Sequence, residues 1–150
     1  MINFERLKNI REDNDISQEK MANILKVNRS TYSLWEIGIN IIPLEKLCDF
    51  CDYFNISIDY VLGLSNNKNS INYIKGLDLK ILGNNIKQLR KSKGLSQENI
   101  AILLNITQPA IVRYEKGIVN ISVSNLYKIA KKFNISINNL CGKTMITKSK

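Results

Sequence analysis

Apolar residues in this chain recur three or four positions apart and never alternate for long. Leu7 with Ile10, and Ile86 with Leu89, open two such stretches. Their spacing predicts helices from near Phe4 to Glu12 and from near Leu79 to Lys91. Ser17 and Ser96 are suitable N-caps, and Glu19 and Glu98 place acid in the positive first turn, so second helices are predicted over roughly 17–25 and 96–104. Met21, Ala22 and Leu25 form the buried face of one, and Ile100, Ala101 and Leu104 that of the other. After a short turn, Asn28 and Thr107 can cap third helices that reach Glu36 and Glu115 and stop at Gly38 and Gly117. Fourth helices are predicted over roughly 43–54 and 122–133, and fifth ones from Ser57 or Ser136 to Gly63 or Gly142. Pieces such as "NIIPL" are too short, and too interrupted by proline, to compete as strands.

The helices come in two sets because the sequence is written twice. A shift of 79 positions carries Lys8 onto Lys87 and superposes residues 8–63 on 87–142 without a gap. "SQE" recurs at 17–19 and 96–98, "FNISI" at 54–58 and 133–137, and Arg11, Ala22, Leu25, Glu36 and Gly38 find Arg90, Ala101, Leu104, Glu115 and Gly117. The expected organisation is therefore a first domain over 1–65, a polar linker over 66–77, a second domain over 78–143 and a basic, disordered tail over 144–150.

One residue looks out of place. Pro109 stands in "TQPAIVRYEKG", and proline in a helix interior costs about 3 kcal/mol. With Thr107 as N-cap, however, Pro109 falls in the first turn, where its missing N–H has no intrahelical partner and its fixed φ suits the helix.

Composition narrows the class. The chain has 150 residues, 44% hydrophobic and 23% charged. It has no run of about 18 apolar residues for a membrane helix and no apolar leader at its start, which predicts a cytoplasmic protein without a membrane partner. It has no histidine, and its 13 Asp and Glu form no spaced acidic cluster, so no catalytic constellation is seen and a non-enzyme is expected. Cys48 and Cys51 form a C-x-x-C inside the fourth helix, with only Cys141 besides. A four-ligand zinc site cannot be completed from these, small core residues are the simpler reading, and no cofactor or metal is implied.

Charge separates the two copies. Residues 1–65 hold seven Lys and Arg against ten Asp and Glu, a net of −3, whereas residues 66–150 hold 15 against three, a net of +12. All the positive excess behind the overall +9 belongs to the second half of the chain, and an excess of that sign attracts polyanions such as nucleic acid.

"SQEKMANILKVNRSTYSLWEIG" and "SQENIAILLNITQPAIVRYEKG" resemble the helix-turn-helix domains of the Cro and lambda-repressor type, the Xre family, in their Ser-Gln-Glu opening, small Ala, Leu-x-Val/Ile turn and Trp/Tyr-Glu-x-Gly close. The resemblance covers about 60 residues per copy. It implies an all-α fold of two tandem lambda-repressor-like five-helix domains and double-stranded DNA as partner. It also implies that Gln18 and Gln97 bond phosphate and brace the next helix, and that Arg11–Glu36 and Arg90–Glu115 form ion bridges between the first and third helices. The position that is often glycine in the family's turn is Lys26 or Asn105 here. Lysine enters the left-handed region less readily than asparagine, so a slightly altered turn is expected in the first copy.

A helix of this kind fits the major groove, where base edges present distinct donor and acceptor patterns. The exposed positions left for reading them are Arg29, Ser30, Thr31, Ser33 and Leu34 in the first copy, and Gln108, Pro109, Ala110, Val112 and Arg113 in the second. Tyr32, Trp35, Ile111 and Tyr114 read as core. Lys116 is expected on phosphate, with Lys87, Arg90, Lys91, Lys93, Lys128, Lys131 and Lys132 adding long-range attraction. Two readings stay open. One is a transcriptional regulator, a repressor, reading DNA with the third helix of one or both domains. The other is an asymmetric protein of antitoxin or antirepressor type, in which the basic copy binds DNA and the acidic copy mediates self-association, as a homodimer, or contact with a protein partner.

Overall fold

The computed structural model describes residues 2–68 and 74–143. Part of the expected linker, 69–73, and the expected tail, 144–150, lie outside the described residues. The chain divides into two compact units, Met1–Ser70 and Ile71–Lys150. Each holds five helices, and no β-strand occurs among the described residues. In the first unit these are α1 (Glu5–Asp13), α2 (Gln18–Ile24), α3 (Arg29–Glu36), α4 (Leu44–Phe54) and α5 (Ile58–Val61). In the second they are α6 (Leu79–Ser92), α7 (Gln97–Leu104), α8 (Gln108–Lys116), α9 (Val123–Phe133) and α10 (Ile137–Leu140).

Local chemistry sets these boundaries. Ser17, Ser57, Ser96, Ser122 and Ser136 sit at N-caps with extended backbone, each side chain accepting a hydrogen bond from the N–H three residues on. Helix ends at Asn55, Asn105 and Asn134 turn left-handed, with φ of 54°, 53° and 50°, the conformation asparagine tolerates best after glycine.

The core of each unit is the stripe the spacing predicts. Leu7, Met21, Tyr32, Leu47 and Ile58 are fully enclosed in the first unit, and Ile86, Ile100, Ile111, Leu126 and Ile137, their equivalents, in the second. Cys48 and Cys51 are buried on the inner face of α4, in agreement with the core reading.

Three details differ from expectation. Asn28 holds the N-cap position of α3, but its side chain accepts no hydrogen bond, whereas Thr107 accepts one from the Ala110 N–H at 3.3 Å. Gly117 is the left-handed C-cap of α8, while in the first copy Ile37 caps α3 and Gly38 follows it. Lys26 adopts φ 59°, within a few degrees of its equivalent Asn105, so the altered turn is limited to α2 ending one residue sooner. Tertiary packing of two short helices dictates that conformation, and lysine bears a strain of roughly 1–2 kcal/mol to meet it.

The second unit departs from the first at its opening helix. α6 has 14 residues against nine in α1, and Gly83 stands in its second turn where the first copy has Phe4, the N-cap residue of α1. A Cβ on Gly83 would run into the carbonyl oxygens of Tyr114 and Glu115, so glycine lets α6 lie directly against the C-terminal backbone of α8.

Candidate nucleic-acid interface

The α2–turn–α3 and α7–turn–α8 pairs are built around one small residue each. Ala22 and Ala101 are 1% and 3% exposed, and at these positions a longer side chain would push the paired helices apart. Behind α3 stands a buried ion pair. Arg11 Nε donates to Glu36 Oε1 at 2.5 Å and Arg11 Nη2 to Oε2 at 3.1 Å, while Nη1 donates to the Ile16 carbonyl at 2.7 Å. Arg90 repeats the arrangement behind α8, with Nη2 to Glu115 Oε1 at 2.8 Å and Nη1 to the Leu95 carbonyl at 2.9 Å. Each arginine therefore ties the first helix, the following loop and the third helix together. Arg90 is buried and its charge is matched, so it does not contribute to the long-range field assigned to it from sequence.

Gln18 opens α2, and its Nε2 donates to Glu36 Oε2 at 2.9 Å, reaching the same carboxylate from the other side. Burial by itself would raise the Glu36 carboxyl. The hydrogen bonds from Arg11 and Gln18, with the charge of Arg11, more than offset it and hold the group below the usual carboxylate range. The same bond raises the Arg11 guanidinium, and burial, followed by the neighbouring Glu36 carboxylate, raises the Tyr32 phenol. Both stay protonated throughout the ordinary pH range. Gln97 opens α7 half-exposed, and among the described residues it makes no equivalent bond to Glu115.

The residues singled out on the third helices for base or phosphate contact all reach solvent. On α3, Arg29 and Ser30 are exposed, and Thr31, Ser33 and Leu34 are half-exposed. On α8, Gln108, Pro109, Arg113 and Lys116 are exposed, and Ala110 and Val112 half-exposed. The second copy brings five of these together: Gln108, Pro109, Val112, Arg113 and Lys116 line one concave surface of about 440 Å³, completed by Ile118. Pro109 lies within the first turn of α8. On the inner side of each third helix the core reading holds, with Tyr32, Trp35 and Ile111 buried. Tyr114 is half-exposed, and its hydroxyl accepts a hydrogen bond from Asn125 Nδ2 of α9 at 3.0 Å.

Sequence reasoning missed Ile118 and Gly83. Ile118 is 65% exposed and its equivalent Ile39 68%, a repeated apolar position in a loop that had no helical period to flag it. Gly83 carried a signal, a glycine inside a helical pattern, which marks close backbone approach.

A family model described as helix-turn-helix matches residues 7–61 and 86–140. The antitoxin PezA of Streptococcus pneumoniae is 36% identical over 62 residues, 41% of this chain, which thus spans 39% of that relative's length. The uncharacterized HTH-type transcriptional regulator YobD of Bacillus subtilis is 23% identical over 105 residues, 70% of this chain and 86% of that protein. Among solved structures, the restriction-modification controller protein C.AhdI of Aeromonas hydrophila is 35% identical, covers 42% of this chain and 96% of its own, and superposes with a TM-score of 0.40.

Proposed function

The chain belongs to the helix-turn-helix family, and we infer from that membership that it is a DNA-binding transcriptional regulator, a repressor that reads the major groove with its third helices. The observation that carries this reading is the concave face of α8. It gathers a fork-shaped donor, Arg113, an amide, Gln108, and two small apolar groups, Pro109 and Val112, with Lys116 at the rim. Arginine can take two acceptors of guanine, glutamine can pair with adenine, and the apolar groups can meet the thymine methyl. Lys116 supplies a phosphate contact that positions the helix without specifying a base. α3 offers Arg29 with Ser30 and Thr31 as a second reading face of weaker charge, and Gln18 and Gln97 meet phosphate at the start of α2 and α7.

Similarity to YobD, named as a transcriptional regulator, and, over a shorter stretch, to the antitoxin PezA supports the class. The asymmetric reading is favoured by one observation, the net −3 of residues 1–65 against +12 for 66–150. Selection of bound sequences from a random DNA pool with the whole chain tests both. Recovery of two half-sites of different sequence supports two reading copies, a single half-site or two identical inverted ones support the asymmetric protein, and no enrichment over random DNA rejects sequence-specific binding.

A further inference from the structure

The two copies carry opposite charge on the same face of their fourth helices. Glu45, Asp49 and Asp52 on α4 occupy the positions of Ser124, Lys128 and Lys131 on α9, and Tyr53 stands where the second copy has Lys132. The spacing of four and three places each set on one side of its helix. Glu45 and Asp49 are exposed, and Tyr53 beside them, its ring edge-on to that of Phe54 at 4.9 Å between centroids, is still 49% exposed.

The basic version of this face is a groove. Lys128, Lys131 and Lys132 rim a hollow of about 460 Å³ whose apolar wall includes Leu103 and Tyr127, and the Lys131 ammonium lies 5.9 Å from the centre of the Tyr127 ring. Leu103 is 43% exposed. The groove lies at the C-terminal end of α7, about 10 Å along that helix from Gln97. It also flanks the second half of α9, whereas Asn125 at the first half is the residue bonded to α8. Phosphate needs positive charge but no apolar wall, so a partner that uses both features is a protein face with carboxylates around an aromatic.

We propose that the groove of the second copy seats the α4 face of the first copy from another chain, with Tyr53 against Leu103 and Glu45 and Asp49 facing the lysines. Pairing like with like would set lysine against lysine and carboxylate against carboxylate. Pairing unlike faces satisfies both sets. Because every chain carries one face of each kind, the smallest assembly that satisfies every face is a dimer of two chains with two equal interfaces. This association is independent of whether α3 or α8 meets DNA.

The test is the molar mass of the whole chain by light scattering without DNA, at about 50 mM and about 500 mM salt. Two chains at low salt, shifting toward one at high salt, are expected. Reversing the lysines (Lys128→Glu, Lys131→Glu, Lys132→Glu), or the acids (Glu45→Lys, Asp49→Lys), should weaken association by at least about tenfold, and combining the two reversals should restore it. Circular dichroism confirms that each variant keeps its helices, and a Lys→Gln series at the same three positions should give a graded loss. A chain that is monomeric at low salt, or a combined variant that does not regain association, overturns the proposal. So does a lysine reversal that leaves the mass unchanged while DNA affinity falls, which would assign the groove to phosphate.

Discussion

Arg11 grips Glu36 through two parallel hydrogen bonds, Nε to Oε1 at 2.5 Å and Nη2 to Oε2 at 3.1 Å, and so clamps α1 to α3 beneath the surface that would face DNA. The Glu36 side chain is 1% exposed and that of Arg11 9%. A buried pair contributes little net stability against an apolar substitute, but removing one half leaves the other charge uncompensated. What the pair supplies is position: α3 cannot tilt without breaking a directional, two-point contact.

Arg11→Ala should therefore destabilise the first unit by about 3–5 kcal/mol, the range for a broken buried pair. Trp35 is the sole tryptophan of the chain and is buried in that unit, so its fluorescence during urea unfolding reports the first unit alone. A loss below about 1 kcal/mol would mean that water reaches the pair and screens it.

Acid should loosen the same unit. Glu36 titrates lower when folded than its ordinary 4.5, so the stabilisation is complete above pH 4.5 and is lost as pH falls from there through the folded value. Trp35 fluorescence in fixed urea should show the midpoint dropping below about pH 4.5. Glu36→Gln should start less stable and lose this part of the slope. Equal slopes in the two proteins would place the acid sensitivity on other carboxylates.

Gly83→Ala should destabilise the second unit although alanine is the better helix former by about 1 kcal/mol. Its Cβ would meet the Tyr114 and Glu115 carbonyl oxygens, and backbone cannot swing aside as a side-chain end can. A net loss of about 1–3 kcal/mol is expected from such overpacking, with weaker DNA binding because α8 is what must shift. Thermal unfolding and titration with the selected DNA measure the two effects. A gain in stability would show that α6 and α8 are not packed this closely.

Most of this architecture could be read from the residues because the signals were local. Ser17, Ser57, Ser96 and Ser136 mark helix starts through their own backbone bonds, and the repeat states each one twice. Lys26 was misjudged because its left-handed φ is imposed by the packing of α2 on α3, against the preference of the residue. Gly83 and Ile118 were passed over for a related reason, since their roles depend on what lies across from them in space. The exposed positions on α3 and α8 follow from helical period, yet period cannot say that five of the α8 residues share one hollow with Ile118.

Lys26→Asn should stabilise the first unit, since asparagine accepts φ near 59° with less strain; a gain of about 0.5–1 kcal/mol is expected. Asn105→Lys should do the reverse in the second unit. Chemical denaturation of the two variants gives the comparison directly, and opposite signs of similar size are the expected result.

The last prediction concerns recognition itself. Arg113 is exposed on the concave face of α8, beside Gln108 and Val112 and in the second turn of a nine-residue helix, and among the described residues its guanidinium has no ion-pair partner, so it can fork onto a base edge. Lys116 lies three residues on, near the C-terminal end of the helix, where phosphate is the more accessible partner. Arg113→Ala should cost about 1–3 kcal/mol on the selected sequence and relax the preference at one base position, leaving the others intact. Lys116→Ala should weaken binding to all sequences alike and reduce the dependence of log K on log salt by about one unit. Titrations of both variants against the selected site, its single-base substitutions and random DNA, each at two salt concentrations, separate the cases. Uniform loss for Arg113→Ala would move that side chain from base to backbone and leave Gln108 as the one long polar reader on α8.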